Sequence, residues 1–540
     1  MNVAFKADMS LGIHPASVPE TVYRRFFTAA IVVILTVGAV WGAVLLWQVA
    51  RANSFTGVSI HAVNAHGHAQ IFGWVSLFIM GFAYQAFPRM WGVRLFAPHM
   101  AVATFVLMIF SLVLGTLGTV QGETWSLAMA SVVIGGVMQS VASIIFAGQL
   151  WITYRRSAEP LSPAVGFMFS ALISLIAMSV MSAWHAAALI EAPSREALLL
   201  QISTYQAALR DLQIHGVALF MILGVSMRFF PGMFGIPQTP VRRGWIAFVL
   251  LVFALCSEVA LGITSRLYDS TLLAGLLLVS WIALTVGVAL IVVPWKLWKP
   301  LRIVSRSNKF VRTAYLWLAI SLVMLLLLPV YMAMREMVFS HAYYGALRHA
   351  ITVGFVSMMI MGVAAKVVPT LNGIDAYRLS ALWGPFILVN TGCALRVVLQ
   401  VLTDWHAIGF TLIGVSGTLE VIGLAWWGVG LIAIMLGWKP SASGSESTEA
   451  QPAPLGSNAR LNVTMTIGEI ARSYPQSLPA LSQLGLDTCC SAARTIEMIA
   501  SERDIDPARL LRAIVEGRPA LMNAENAQTT CGCHCGHRVP

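Results

Sequence analysis

Apolar positions along this chain are gathered into twelve runs of about twenty residues each. They lie at about 26–49, 66–88, 98–119, 126–151, 163–188, 212–234, 245–263, 271–296, 313–334, 344–368, 381–401 and 408–437. Each is long enough to cross a bilayer as a helix, and the connecting loops are short. The pattern predicts an all-α fold, a polytopic membrane bundle of twelve transmembrane helices spanning 26–438 behind a short N-terminal segment, 1–25. The first run starts near Phe26 and many others follow it, so it reads as a span and not as a cleaved leader.

Three of the runs repeat one pattern. Span two reads "HAQIFGWVSLFIMGFAYQAFPRMWG", span six "DLQIHGVALFMILGVSMRFFPGMFG" and span ten "HAITVGFVSMMIMGVAAKVVPTLNG". Aligned on Pro88, Pro231 and Pro369, they share glycines at Gly73, Gly216 and Gly354, at Gly81, Gly224 and Gly362, and at Gly92, Gly235 and Gly373. The copies lie four spans apart, so twelve spans divide into three pseudo-repeated four-helix units. Small residues let helices approach closely.

Beyond the last span the pattern changes twice. Residues 439–462 are rich in Ser, Pro, Ala and Glu and predict a flexible linker. Residues 463–518 return to helical periodicity, broken at Pro475, Pro479, Gly485 and Pro507, and predict a small helical domain. A Cys/His-rich tail, 519–540, ends in "CGCHCGH".

Composition supports the membrane reading: 58% of residues are hydrophobic and 11% charged, against roughly 25% charged in soluble proteins. A net charge of +11 invites a nucleic-acid reading, but its distribution excludes it. Taken over alternate loops, nineteen basic residues fall on one side and six on the other. The positive-inside rule then places both termini in the cytoplasm of a bacterial inner membrane, with the basic side against anionic membrane lipid. Of seven cysteines, Cys256 and Cys393 lie within spans and five lie after them. On the cytoplasmic side these stay thiols, not disulfides.

Candidate chemistry lies in the histidines. Spans two, six and ten all start on the outer side. Eight of twelve histidines map there: His61, His66, His68, His185, His215, His341, His349 and His406. His66 and His68 point about 200° apart on a helix, so they serve two different faces. His68 and His349 share a repeat position and are expected to face a common centre. Imidazole ligates iron and copper, and ionisable residues inside a membrane default to a functional role. His66, His68, His215 and His349 are therefore the expected haem or copper ligands, with His61, His185 and His341 as further candidates. A single histidine near a membrane interface is more often a wet interfacial residue, and that reading holds most weight for His61, His341 and His406. Glu258 and Arg396 are intramembrane charges on the same side, read either as a proton-path carboxylate and a propionate partner or as members of an interhelical ion pair. Gln85, Arg228 and Lys366 share a repeat position at the opposite ends, where snorkelling accounts for the last two.

The run His66-Gly67-His68 with Gly73, Trp74 and Pro88 resembles the His-x-His helix of haem–copper oxidase catalytic subunits, a pseudo-threefold twelve-helix family in which the two histidines serve different haems. This chain has no adjacent His-His pair. Over most of residues 20–438 it more closely resembles the NnrS family, twelve-span haem- and copper-containing bacterial membrane proteins of nitric oxide metabolism. The resemblance implies haem and copper as cofactors, nitric oxide or another small diatomic as ligand, and a redox or protective role near the periplasmic face; a quinol or cytochrome c is the electron donor that the reductase or oxidase alternative would call for. The alternatives are a nitric oxide reductase or terminal oxidase of haem–copper type, and a metal or haem transporter, although a transporter more often puts its polar site at the midplane. Residues 463–517, "GLDTCCSAARTIEMIASERDIDPARLLRAI" at their centre, resemble the N-terminal domain of ScdA-type iron–sulfur repair proteins (DUF542, DUF1858-type). Asp487, Cys489 and Cys490 match its signature, and Ser491 and Ala492 replace its glycines. The pair Cys489 and Cys490 is expected to act as reactive thiols. The tail residues Cys531, Cys533, His534, Cys535 and His537 are soft enough as a set to bind iron, zinc or copper.

Overall fold

A computed structural model describes residues 22–438 apart from 122–125, 269, 300, 302–304, 373, 375, 377 and 378, and residues 462–515 apart from 475, 476, 478, 479, 482, 483, 485, 487–494, 503 and 504. They form two compact units, one within 21–442 and one within 443–540. Among the described residues there are helices and no strand, and twelve helices are long and apolar enough to cross a membrane. They are α1 (Val22–Ala52), α2 (Ile60–Met90), α3 (Met100–Gln121), α4 (Ala128–Arg155), α5 (Pro163–Ile190), α6 (Arg195–Phe234), α7 (Val241–Leu267), α8 (Leu272–Trp295), α9 (Asn308–Met334), α10 (His341–Leu371), α11 (Trp383–Leu402) and α12 (Ile408–Met435).

Burial sorts these helices. The apolar stretches of α2, α6 and α10 are 89%, 72% and 72% buried, against 28–56% for the other nine. The three glycine-patterned helices are thus the centre of the bundle, and the others present residues such as Phe110, Ile173 and Leu316 outward. The glycines explain the seating. A Cβ on Gly73 would meet Val33 of α1 at 2.4 Å, one on Gly216 would meet Ser174 of α5 at 2.8 Å, and one on Gly354 would meet Trp317 of α9 at 2.4 Å. The next glycines, Gly81, Gly224 and Gly362, take the same three helices, at Phe26, Met168 and Phe310. Each central helix therefore receives the helix just before it through matched gaps.

The central helices also change pitch at one shared place. Ala69–Ser76, Leu212–Leu219 and Ala350–Ser357 are π-helical, and all three begin nineteen residues before Pro88, Pro231 and Pro369. The wide turns are stabilised by side chains reaching back five residues: Ser76 Oγ donates to Ile71 O at 2.9 Å and Ser357 Oγ to Thr352 O at 3.0 Å. Stretches of this kind are rare and concentrate at functional sites. A shorter one, Ile34–Gly38, interrupts α1.

Three expectations are corrected. The helix of span six begins at Arg195 and not near 212, and that of span two begins at Ile60 and not near 66. Polar residues ended the apolar runs without ending the helices, and serines cap each start: Ser59, Ser194 and Ser340 accept from His61 N, Ala197 N and Tyr343 N. Lys366 does not snorkel: it is 8% exposed and donates to Met233 O at 3.0 Å.

The second unit contains α13 (Ile467–Ser473), α14 (Ile496–Glu502) and α15 (Pro507–Val515). A reciprocal cap starts α13, with Thr466 N donating to Glu469 Oε2 at 2.8 Å and Glu469 N to Thr466 Oγ1 at 3.2 Å. Ile467, Ile470, Leu481, Leu484, Ile496, Ile499, Leu510 and Ile514 close a core of its own.

Candidate functional site

The polar residues of the bundle collect where α2, α6 and α10 leave regular helix for π-helix. The proline alignment puts Gly67, Arg210 and Arg348 in one register, and His68, Asp211 and His349 in the next. Both guanidinium groups reach across to a neighbour. Arg348 Nη2 donates to Asp211 Oδ1 at 2.8 Å, linking α10 to α6. Arg210 lies over Gly67, where a Cβ would stand 2.6 Å from its Nη2, linking α6 to α2. Burial of such charges is costly unless they are partnered.

His66 and His349 are held alike. His66 Nδ1 lies 3.0 Å from Gly38 O, at the end of the π-turn of α1, and His349 Nδ1 lies 2.8 Å from Gly345 O, one turn back in α10. With Nδ1–H donated to a carbonyl, each neutral ring keeps its lone pair on Nε2, the form that binds metals. The His66 ring fills the gap left by Gly42, where a Cβ would lie 2.5 Å from Cε1. The two imidazoles are within electrostatic range of each other and of Arg396 on α11. Arg396 is 7% exposed, and its Nε and Nη1 are buried without a hydrogen-bond partner.

His68 faces the other way. Its ring stands 4.8 Å from that of Phe72 and its Nε2 is buried without a partner, beside Gly115 of α3, where a Cβ would lie 2.9 Å from it. The opposite faces expected for His66 and His68 are found. His68 lies against Gly115 of α3 and His349 Nδ1 against Gly345 O of its own helix, and no contact between the two imidazoles is seen among the described residues.

A second cluster joins α6 to α7. His215 Nδ1 lies 2.8 Å from Glu258 Oε2, and Glu258 Oε1 accepts from Trp281 Nε1 of α8 at 3.1 Å. Asp211 stands one turn before His215, and ligand atoms of Asp211, His215 and Glu258 all lie within 4.8 Å of one another. Glu258 and Arg396 are thus not an ion pair; each belongs to a different cluster. Sequence reasoning passed over Asp211, although the proline alignment sets it in register with His68 and His349.

The remaining candidates are scattered. His185 is buried near Tyr205, with an unpartnered Nε2. His61 is half-buried in the first turn of α2, and His341 is exposed beside Phe339. His406 is exposed and accepts from Ile408 N at 3.2 Å, a local turn contact. Cys489, Cys490, Cys531, Cys533, His534, Cys535 and His537 lie outside the described residues.

Twelve apolar helices enclosing buried imidazoles, carboxylates and guanidinium groups define a polytopic helical membrane protein with a polar site inside its bundle. The chain belongs to the NnrS protein family, whose family model matches residues 19–439. That membership groups it with membrane proteins of the nitric oxide response. No curated protein matches it.

Proposed function

We propose that the protein is a haem-binding redox protein of the bacterial inner membrane, acting in nitric oxide metabolism or nitrosative-stress defence, with both termini cytoplasmic and its site near the periplasmic face. The observation that carries this reading is the pairing of His66 and His349. Imidazoles on two different central helices each have Nδ1 tied to a backbone carbonyl, which leaves Nε2 as the ligating atom, and Arg396 lies within electrostatic range of both. The residues fit a haem in three ways. The donor set is the one iron porphyrin takes. Nε and Nη1 of Arg396 are buried without an acceptor and suit a propionate, alongside the neighbouring carboxylate Glu420. Gly42 leaves room that His66 occupies.

His66 and His349 would hold the group, and the carbonyls of Gly38 and Gly345 would fix their tautomers. Arg396 would supply the countercharge. When bound, the haem would supply a one-electron couple. His68, with its unpartnered Nε2 on the opposite face, is the ligand left for copper or a second iron. The matched glycines and π-helical stretches support three four-helix units around this centre, as the resemblance to haem–copper oxidases implies.

The test is bound haem, measured as the pyridine haemochrome of purified protein. His66→Ala and His349→Ala should each lose most of it. Full haem content in both variants would overturn the assignment.

A further inference from the structure

The cluster of Asp211, His215 and Glu258 is set apart from the haem residues and needs its own explanation. We infer that it is a non-haem site for a divalent first-row cation of the borderline-to-hard kind, with Asp211, His215 and Glu258 as its three protein ligands. This reading does not rest on haem being bound.

Geometry is the first support. Two ligand atoms about 2.1 Å from one ion can stand up to about 4.2 Å apart. The three ligand atoms here lie within 4.8 Å of one another, so contraction by about half an ångström closes the set. His215 Nδ1 and Glu258 Oε2, at 2.8 Å, already have the spacing of neighbouring ligands. Asp211 and His215 are four residues apart, one turn, on the same face of α6.

Outer contacts are the second support. Ligating carboxylates and imidazoles are ordinarily oriented by further hydrogen bonds, and both carboxylates have one. Trp281 Nε1 holds Glu258 Oε1 at 3.1 Å, and Arg348 Nη2 holds Asp211 Oδ1 at 2.8 Å. Glu258 thereby keeps Oε2 toward His215 Nδ1. Charge is the third. Two carboxylates face one guanidinium in a buried place, since His215 is 5% and Glu258 2% exposed. One negative charge then awaits a partner, and a burial of that kind is expensive without one. A donor set of two carboxylates and one imidazole favours Mn²⁺, Fe²⁺ or Zn²⁺ over soft Cu⁺. A protonated His215 is the competing occupant, and it predicts no cation binding.

The experiment is a Mn²⁺ titration of chelator-treated full-length protein in detergent, read by the electron paramagnetic resonance of free Mn²⁺. Mn²⁺ is a hard ion that prefers oxygen ligands, which keeps the thiols of the C-terminal tail out of the count. Wild type should bind one Mn²⁺ per chain. Asp211→Asn and Glu258→Gln should each weaken binding at least tenfold. Trp281→Phe alters only the outer hydrogen bond and should weaken it about tenfold; it carries the test if the carboxylate variants do not fold. His61→Ala should leave it unchanged. No binding by wild type, or equal binding by wild type, Glu258→Gln and Trp281→Phe, would overturn the site.

Discussion

Gly42 shows how tightly one residue can govern another in this bundle. His66 keeps its ring where a Cβ on Gly42 would stand, 2.5 Å from Cε1. Gly42→Ala should therefore push the ring off the Gly38 carbonyl, at about 1–3 kcal/mol for overpacking. Expected together are a lower thermal midpoint and haem content reduced toward that of His66→Ala. Gly148→Ala is the control: nothing lies within 4 Å of the new methyl, so midpoint and haem should stay at wild-type values. Equal behaviour of the two variants would refute the role given to Gly42. At this scale the sequence was legible wherever helix geometry alone decides. About 100° per residue put His66 and His68 on opposite faces, and so they are. It was not legible whether either of them shares a centre with His349. Residues related by a rotation about a central axis meet only if they point at that axis, and repeat position does not state where a side chain points. The trio at Asp211 was hidden for a like reason: Glu258 joins it from α7, and no spacing within α6 announces that.

Interlocking of the central helices is a property of elements. Trp74 Nε1 of α2 donates to Ser357 Oγ of α10 at 3.0 Å, in the buried interior. That same hydroxyl reaches back to Thr352 O and supports the π-helical stretch. One serine thus couples the pitch of α10 to its contact with α2. Either Trp74→Phe or Ser357→Ala strands a partner in an apolar place, which costs more than the bond's net worth. A double-mutant cycle on unfolding in detergent should give a coupling of about 0.5–1 kcal/mol, around the average for hydrogen bonds between membrane helices. Additive effects would mean the contact contributes nothing. The apolar runs and the glycine register told the number of spans and which three are alike. They did not tell where helices begin. The segment 195–211 is polar enough to stand outside a hydropathy run, yet it continues α6 without a break and brings Arg210 and Asp211 into the site. Polar residues there are satisfied by neighbouring helices, and hydropathy counts only their cost.

Across the whole molecule, two units answer to different surroundings. The outer spans turn large apolar side chains outward, among them Phe110 at 57% and Ile173 at 67% exposure, as a lipid-facing surface requires. The second unit does the opposite, enclosing Ile467, Ile470, Ile496, Leu510 and Ile514 in a core independent of the membrane. Its described helices are short, seven to nine residues, and such helices depend on tertiary packing for stability. A unit with its own core and its own cap at Thr466 is suited to separate work. The topology proposed above from the positive-inside excess would put it in the cytoplasm, and a reporter fused after Pro440 should then be active only as a cytoplasmic fusion. There Cys489 and Cys490 would persist as thiols, and a thiolate reacts with nitrosating agents while a neighbouring thiol resolves the adduct. The expected division of labour is haem chemistry in the bundle and thiol chemistry in the small unit. Cells carrying Cys489→Ser with Cys490→Ser should therefore keep full haem in the purified protein and lose protection against nitric oxide. Haem lost together with protection would mean that the thiols deliver or retain the cofactor, and the two units would then share one function.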